Sequence, residues 1–201
     1  ELLENAIDSE ATDIKLIIKD SGKTLIQVVD NGIAMNEVDA RMCFERHATS
    51  KISKADDLYS LTTKGFRGEA LASIAAIAQV ELKTKKEDSE LGIQVVIEGS
   101  EHKSQEVCTC PNGSSFSIKN LFFNVPARRN FLKSDRAEYK YILDEFIRIG
   151  LAHPDISFSL INNEKEQYKL SKGTLRQRLV NLYGKNYNSR LVPVNEKTDI
   201  V

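Results

Sequence analysis

Apolar and polar residues change period several times along the chain. Over Glu1–Ser9, Leu2, Leu3, Ala6 and Ile7 share one side of a helix at about 100° per residue, while Glu1, Glu4, Asn5 and Asp8 share the other. The period then drops to two. Ile14, Leu16 and Ile18 alternate as in a half-buried strand, Asp20-Ser21-Gly22 reads as a turn, and Thr24–Asp30 returns as a second strand. Val38, Met42 and Glu45 at helical spacing predict a helix over about Asn36–Arg46, with Asn36 as its cap. His47–Thr63 is polar and aperiodic and reads as a long loop, a length that in compact domains usually goes with function or disorder.

Gly65 and Gly68 then precede an alanine-rich apolar helix beginning near Glu69. Strands are predicted over Val80–Lys85, Ile93–Ile97, Glu106–Thr109 and Ser115–Lys119, with Asn112-Gly113 as a turn. A second long helix covers Asp135–Leu151, and "ISFSLINNEKEQYKL" reads as a hairpin. After Ser171-Lys172-Gly173 a short helix and an extended piece read as the opening of a second domain, dividing the chain into 1–172 and 173–201. Helices and strands mix without a βαβ rhythm, which predicts an α+β fold with a mixed, largely antiparallel sheet.

Composition narrows the classes. The 201 residues are 41% apolar and 28% charged, ordinary for a chain that buries a core. A net charge of -1 excludes a global nucleic-acid or membrane field, so any such contact must come from local patches. No apolar run reaches the roughly 18 residues of a membrane span, no signal peptide is visible, and no membrane partner is expected. The three cysteines form no disulfide framework, as in a reducing compartment, and Cys108 and Cys110 lack the ligand spacing of a zinc site.

Several strings carry candidate chemistry. Gly22-Lys23-Thr24 looks like the end of a phosphate-binding loop, but Ile17 occupies the position that needs glycine, and the string lies in a hairpin. Gly65, Gly68 and the helix after them could bind phosphate through free N–H groups, or could be a flexible loop before a buried helix. On the first helix, the amide oxygen of Asn5 suits Mg²⁺, and Glu1 could take a proton from an attacking water. Taken alone, a solvated helix face is the plainer account of them. Asp30, when ionised, can only accept hydrogen bonds and would match the exocyclic amine of adenine; an Asx turn is the bland reading. Arg128, Arg129, Lys133 and Arg136 form the densest basic cluster, suited either to phosphate contacts or to a salt-bridged face against Asp135, Glu138 and Asp144.

Taken in order, "ELLENAID", "DNGIAM", "FERHATSKI", "GFRGEALASI", "NGSSF" and "LFFNVPARRNFLKS" resemble the N-terminal ATPase region of the MutL-type mismatch-repair family. That family sits in a wider group with the ATPase chain of DNA gyrase, the ninety-kilodalton heat-shock chaperones and sensor histidine kinases. "ENAID" and "DNG" are shared across the group, whereas "HATSKI", "GFRGEALASI" and "PARRNFL" are much more specific to MutL. The resemblance runs from Glu1 to about Leu151 and is vaguer beyond.

The resemblance implies a Bergerat ATPase fold, a two-layer α/β sandwich with helices on one face of the sheet, binding ATP and Mg²⁺. It implies Glu1 as general base, Asn5 as Mg²⁺ ligand and Asp30 as acceptor for the adenine amine, with Asp8, Gly32, Ala34 and Met35 lining the nucleotide. Gly65, Phe66, Arg67, Gly68 and Leu71 would wrap the phosphates as a lid, with Thr49 near the nucleotide and Lys51 solvated. Ser114 stands where the family has a threonine, and 173–201 would open an S5-like transducer domain. Arg128, Arg129 and Lys133 would contact DNA weakly and without sequence preference. Implied partners are a MutS-type mismatch-recognition protein and a second MutL-type chain, joined through ATP-bound N-terminal domains. The expected compartment is the bacterial cytoplasm, or the nucleus in a eukaryote. A topoisomerase or chaperone ATPase and a non-catalytic scaffold are the alternatives.

One position departs from the family pattern D-N-G-x-G-M: Ala34 stands in place of its second glycine. If the site needs φ > 0, alanine costs roughly 1–2 kcal/mol; if the backbone merely passes close to the nucleotide, the methyl crowds it. Either way weakened ATP binding is expected. An "IAAGEV"-like segment, a second-domain lysine that would reach the γ-phosphate, and a C-terminal dimerisation domain, sometimes bearing a nuclease, belong to the family pattern and are not found in these 201 residues. The chain by itself is therefore expected to bind nucleotide poorly and hydrolyse it very slowly.

Overall fold

The computed structural model describes residues 1–45, 68–192 and 194. Among these residues eight strands form one sheet: β1 (Asp13–Lys19), β2 (Leu25–Asp30), β3 (Gln79–Lys85), β4 (Gly92–Glu98), β5 (Glu101–Cys108), β6 (Gly113–Lys119), β7 (Ser157–Asn162) and β8 (Lys165–Leu170). Their order across the sheet is β5-β4-β3-β6-β2-β1-β7-β8, antiparallel throughout except for the parallel β1·β7 pair. The α-helices among the described residues are α1 (Leu2–Asp8), α2 (Glu37–Met42), α3 (Ala70–Ala75), α4 (Pro126–Asn130), α5 (Asp135–Ala152) and α6 (Leu175–Tyr183).

Period-two alternation sends one set of side chains to a single face, and the register aligns them into rows. Leu160, Leu16, Val28, Phe116, Leu82 and Val95 form one row across β7, β1, β2, β6, β3 and β4; Ile18, Ile26, Ile118, Val80 and Ile97 form the next. Leu3 and Ala6 of α1 and Phe146 of α5 cover one half of this face, while Ala40 of α2, Phe44 and Ala75 of α3 cover the other. Leu2 packs on both halves, so α1 straddles the middle of the sheet. The architecture is the expected α+β sandwich with helices on one face.

Boundaries differ where burial is not what holds the backbone. β5 starts at Glu101, five residues earlier than its apolar pattern suggests, because it is an exposed edge strand held by pairing with β4. The Asn112-Gly113 turn does not close a hairpin: the chain leaves β5 and crosses to β6, which pairs with β3 and β2. The alanine-rich helix α3 stops at Ala75, since Ser100 N–H and Phe122 N–H bond the carbonyls of Ala75 and Ile77 at 2.9 and 2.7 Å. α4 has too few apolar positions to show a period. Asn36 caps α2 as expected, accepting Asp39 N–H at 2.8 Å.

Candidate nucleotide site

One row of the covered face breaks the apolar pattern. From β7 to β4 it reads Phe158, Ile14, Asp30, Ser114, Thr84, Ile93, so three polar side chains stand together on the central strands β2, β6 and β3. Their exposures are 6%, 6% and 1%. Burying such groups is unfavourable unless they are hydrogen-bonded, and here they bond to one another and to the surrounding backbone.

Asp30 ends β2 and its Oδ1 accepts Gly32 N–H at 3.0 Å, which is the Asx turn of the bland reading. The turn does not place it at the surface. Burial pushes the Asp30 carboxyl above its ordinary value, and the Gly32 and Ser114 N–H groups and the Ser9 hydroxyl only partly oppose this. Asn31 ties the turn to the start of β1, its Oδ1 accepting Thr12 and Asp13 N–H at 2.9 Å each. Gly32 lies against the end of α1, where a Cβ would stand 2.1 Å from Ser9 Oγ, and Ile33 N–H donates to the Ser9 carbonyl at 2.7 Å. The C-terminal end of α1 is thereby locked to the aspartate turn.

Thr84 closes the other side. Its hydroxyl accepts Met35 N–H at 3.0 Å and lies 3.0 Å from Ser114 Oγ and 3.3 Å from the Gly113 carbonyl. No motif in the sequence singles out Thr84 or Ser9 as part of a site, and Gly113 enters only as the glycine of "NGSSF". Thr84 becomes visible when β3 is placed in register with β6, because it continues the inward alternation of Val80 and Leu82.

Asp30, Gly32, Met35 and Ser114 thus converge at one end of the sheet. Ala34 is buried there, 9% exposed, and does not have a positive φ, so the backbone-strain route to weakened binding does not apply; crowding by its methyl remains. Asn5 and Asp8 are half-buried on the outward side of α1, and Glu1 is exposed at its start. Gly68 has φ +62°, and Leu71 on α3 packs on the core beside β3. Thr49, Lys51, Gly65, Phe66 and Arg67 lie outside the described residues.

Arg128 and Arg129 on α4 and Lys133 after it are exposed, beyond the far end of β6 from Ser114. Arg128 stacks over Phe122 at 5.2 Å and Lys133 Nζ donates to Tyr141 Oη at 2.6 Å. Among the described residues no carboxylate forms an ion pair with these three side chains, and Asp135 pairs with Lys23 at 2.7 Å instead. Glu138 Oε1 accepts the Lys133 backbone N–H at 2.7 Å, so a carboxylate of the expected face touches the cluster without forming an ion pair with these three side chains.

A cavity of about 630 Å³ lies elsewhere on the helical face, floored by Leu16, Ile26 and Val28 between α1 and α5. Glu1 and Asp8 open onto it; Asp30, Ser114 and Thr84 do not. All three cysteines are free, burial pushes the Cys43 thiol up to about 12, and no group of three metal-ligating side chains occurs among the described residues. No helix among them is long and apolar enough to cross a membrane.

The chain is a member of the Histidine kinase-, DNA gyrase B-, and HSP90-like ATPase family, whose model matches residues 1–122. Over all 201 residues it is 62% identical to the DNA mismatch repair protein MutL of Flavobacterium johnsoniae and 57% identical to that of Bacteroides fragilis. It spans about a third of those proteins, 31% and 32% of their lengths. The Aquifex aeolicus MutL ATPase domain complexed with ADP superposes with a TM-score of 0.72 at 26% identity, covering 90% of this chain and 65% of that one. The N-terminal domain of a DNA repair protein, at 23% identity, shares the fold with a TM-score of 0.76 over 92% of this chain and 55% of its own.

Proposed function

We propose that this chain is the ATP-binding and hydrolysing region of a bacterial, cytoplasmic MutL-type mismatch-repair protein. The observation that carries the reading is the order of groups along α1. Its C-terminal end is bonded to the Asp30 turn, and Asn5 and Glu1 follow one and two turns back, on the helix face opposite the buried Leu3 and Ala6. A nucleotide laid along the helix would have its adenine amine at Asp30 and its phosphates toward Asn5 and Glu1. The stretch from Glu1 to Ser9 spans roughly 12 Å.

In this reading the Asn5 amide oxygen and phosphate oxygens hold Mg²⁺, a hard ion that keeps most of its waters. The ion would neutralise charge on the phosphates. Glu1, reaching the same end, takes the proton of the attacking water. Asp8, Gly32, Ala34 and Met35 border the base, and Gly68 and Leu71 take part in holding the phosphates; the other expected contacts, Gly65, Phe66, Arg67 and Thr49, lie outside the described residues. Arg128, Arg129 and Lys133, whose side chains form no ion pair among the described residues, support weak DNA contact through phosphates. A MutS-type partner and ATP-driven pairing with a second MutL-type chain would couple mismatch recognition to repair; the region from residue 173 opens the transducer domain.

Titration of ADP and ATP, with and without Mg²⁺, tests this. Wild type is expected to bind weakly and hydrolyse slowly, Asn5→Ala to lose the Mg²⁺ dependence, and Glu1→Ala to retain binding without turnover. Binding that ignores both Mg²⁺ and Asn5 would refute the assignment.

A further inference from the structure

Thr84 is buried beside the proposed adenine position, yet that reading gives it no role. A threonine hydroxyl has one proton and two lone pairs. The Met35 amide, at 3.0 Å, occupies one lone pair. The proton can then go to Ser114 Oγ at 3.0 Å or to the Gly113 carbonyl at 3.3 Å.

The two choices give Ser114 opposite polarity. If Thr84 donates to Ser114, the Ser114 proton is released toward a ligand. If Thr84 donates to Gly113, Ser114 donates back to Thr84 and turns only lone pairs outward. The 3.0 Å contact is made in both arrangements, so its length does not choose between them; only the first leaves the Ser114 proton for a ligand.

We propose that Thr84 is a positioning residue that selects adenine, by clamping the Met35 amide against β6 and directing the Ser114 proton at the ring nitrogen beside the exocyclic amine. The inference rests on the nucleotide reading above. Adenine presents an amine donor next to the N1 acceptor; guanine presents an oxygen acceptor next to an N1–H donor. An ionised Asp30 opposite a donating Ser114 matches the first pattern and opposes the second. Sites built to hydrogen-bond a ligand discriminate strongly, because a mismatched ligand leaves buried polar groups unpaired.

Valine at this position keeps the β-branched shape and removes the hydroxyl, while serine keeps the hydroxyl and removes the methyl. Calorimetric titration of ADP and 1-deaza-ADP, which lacks the N1 acceptor, into wild type, Thr84→Val, Thr84→Ser and Asp30→Asn separates the contributions. Thr84→Val is expected to weaken ADP about tenfold (about 1.4 kcal/mol) while hardly changing 1-deaza-ADP, so the preference for ADP collapses. Thr84→Ser is expected to restore it, together with slow hydrogen exchange at the Met35 amide. A Thr84→Val protein that keeps the wild-type ratio of the two affinities overturns the proposal, including the case where both weaken equally through general loosening. An Asp30→Asn protein that binds ADP like wild type overturns the adenine reading instead, as does a wild-type chain that takes up neither nucleotide at millimolar concentration.

Discussion

Gly113 opens β6 directly against the backbone of Asp30: a Cβ at Gly113 would stand 2.1 Å from the Asp30 carbonyl oxygen and 2.8 Å from Asn31 Cα. Its φ of +101° is also one that side chains other than glycine rarely adopt. The Asn-Gly pair read as a turn is therefore also the place where two strands bearing the site's polar groups come closest. Gly113→Ala is expected to cost about 2–4 kcal/mol, since backbone strain and a clash with rigid backbone add, and to displace Ser114. Chemical denaturation checks the first effect and ADP titration the second; an unchanged midpoint would contradict the packing described.

Ala34 carries two effects of opposite sign. Its backbone needs no positive φ, so Ala34→Gly relieves no strain and is expected to destabilise the fold by roughly 0.5–1 kcal/mol through added chain entropy. If the methyl crowds the nucleotide, the same substitution raises ATP affinity. Paired thermal melts and ATP titrations separate the two, and equal affinities dispose of the crowding argument.

Asp30 makes stability and binding respond to pH in opposite directions. Burial raises its pKa above the ordinary 3.8, so the ionised form is disfavoured in the folded chain. The carboxyl contributes stability that is fully present below that ordinary value and is lost as pH rises through the folded-state pKa. Acceptance of the adenine amine needs the ionised form, so ADP affinity rises through the same window. Melting temperature and ADP affinity from about pH 4 to 7, each taken as the difference between wild type and Asp30→Asn, are expected to move oppositely. Parallel slopes would contradict the burial of Asp30.

Arg178 fastens α6 to the sheet. It is 1% exposed and its guanidinium donates to the carbonyls of Gly150 and Ile156 at 2.6 Å each, and to Pro154 and Ser171 at 3.2 and 3.3 Å. Lysine cannot reproduce that fork. Arg178→Met strands several buried carbonyls and is expected to cost about 2–4 kcal/mol, with faster proteolysis between Ser171 and Thr174. Arg178→Lys should fall between; a wild-type cleavage rate in both variants would show that α6 does not depend on this residue.

Much of this is legible in the residues themselves. Alternation at Ile14, Leu16 and Ile18 and the two faces of α1 predict their elements closely, because burial on one side enforces the period. Asp30 is legible as turn chemistry, but its burial is not, since that depends on Ser9, Gly113 and Ser114 arriving from other parts of the chain. Thr84 stays hidden for the same reason: an isolated threonine on a strand has no meaning until β3 is set in register with β6. β5 and α4 are obscured because pairing at a sheet edge and a single turn of helix leave little apolar period. The basic string at Arg128 and Arg129 does not by itself reveal that Asp135 turns away to Lys23.

The central claim is the position of the adenine, and a crystal structure of the chain with ADP measures it most directly. The expected result is an exocyclic amine within hydrogen-bond distance of the Asp30 carboxylate and a ring nitrogen at the Ser114 hydroxyl, with the phosphates running along α1 toward Asn5. A base seated in the cavity between α1 and α5, with Asp30 untouched, would contradict the account.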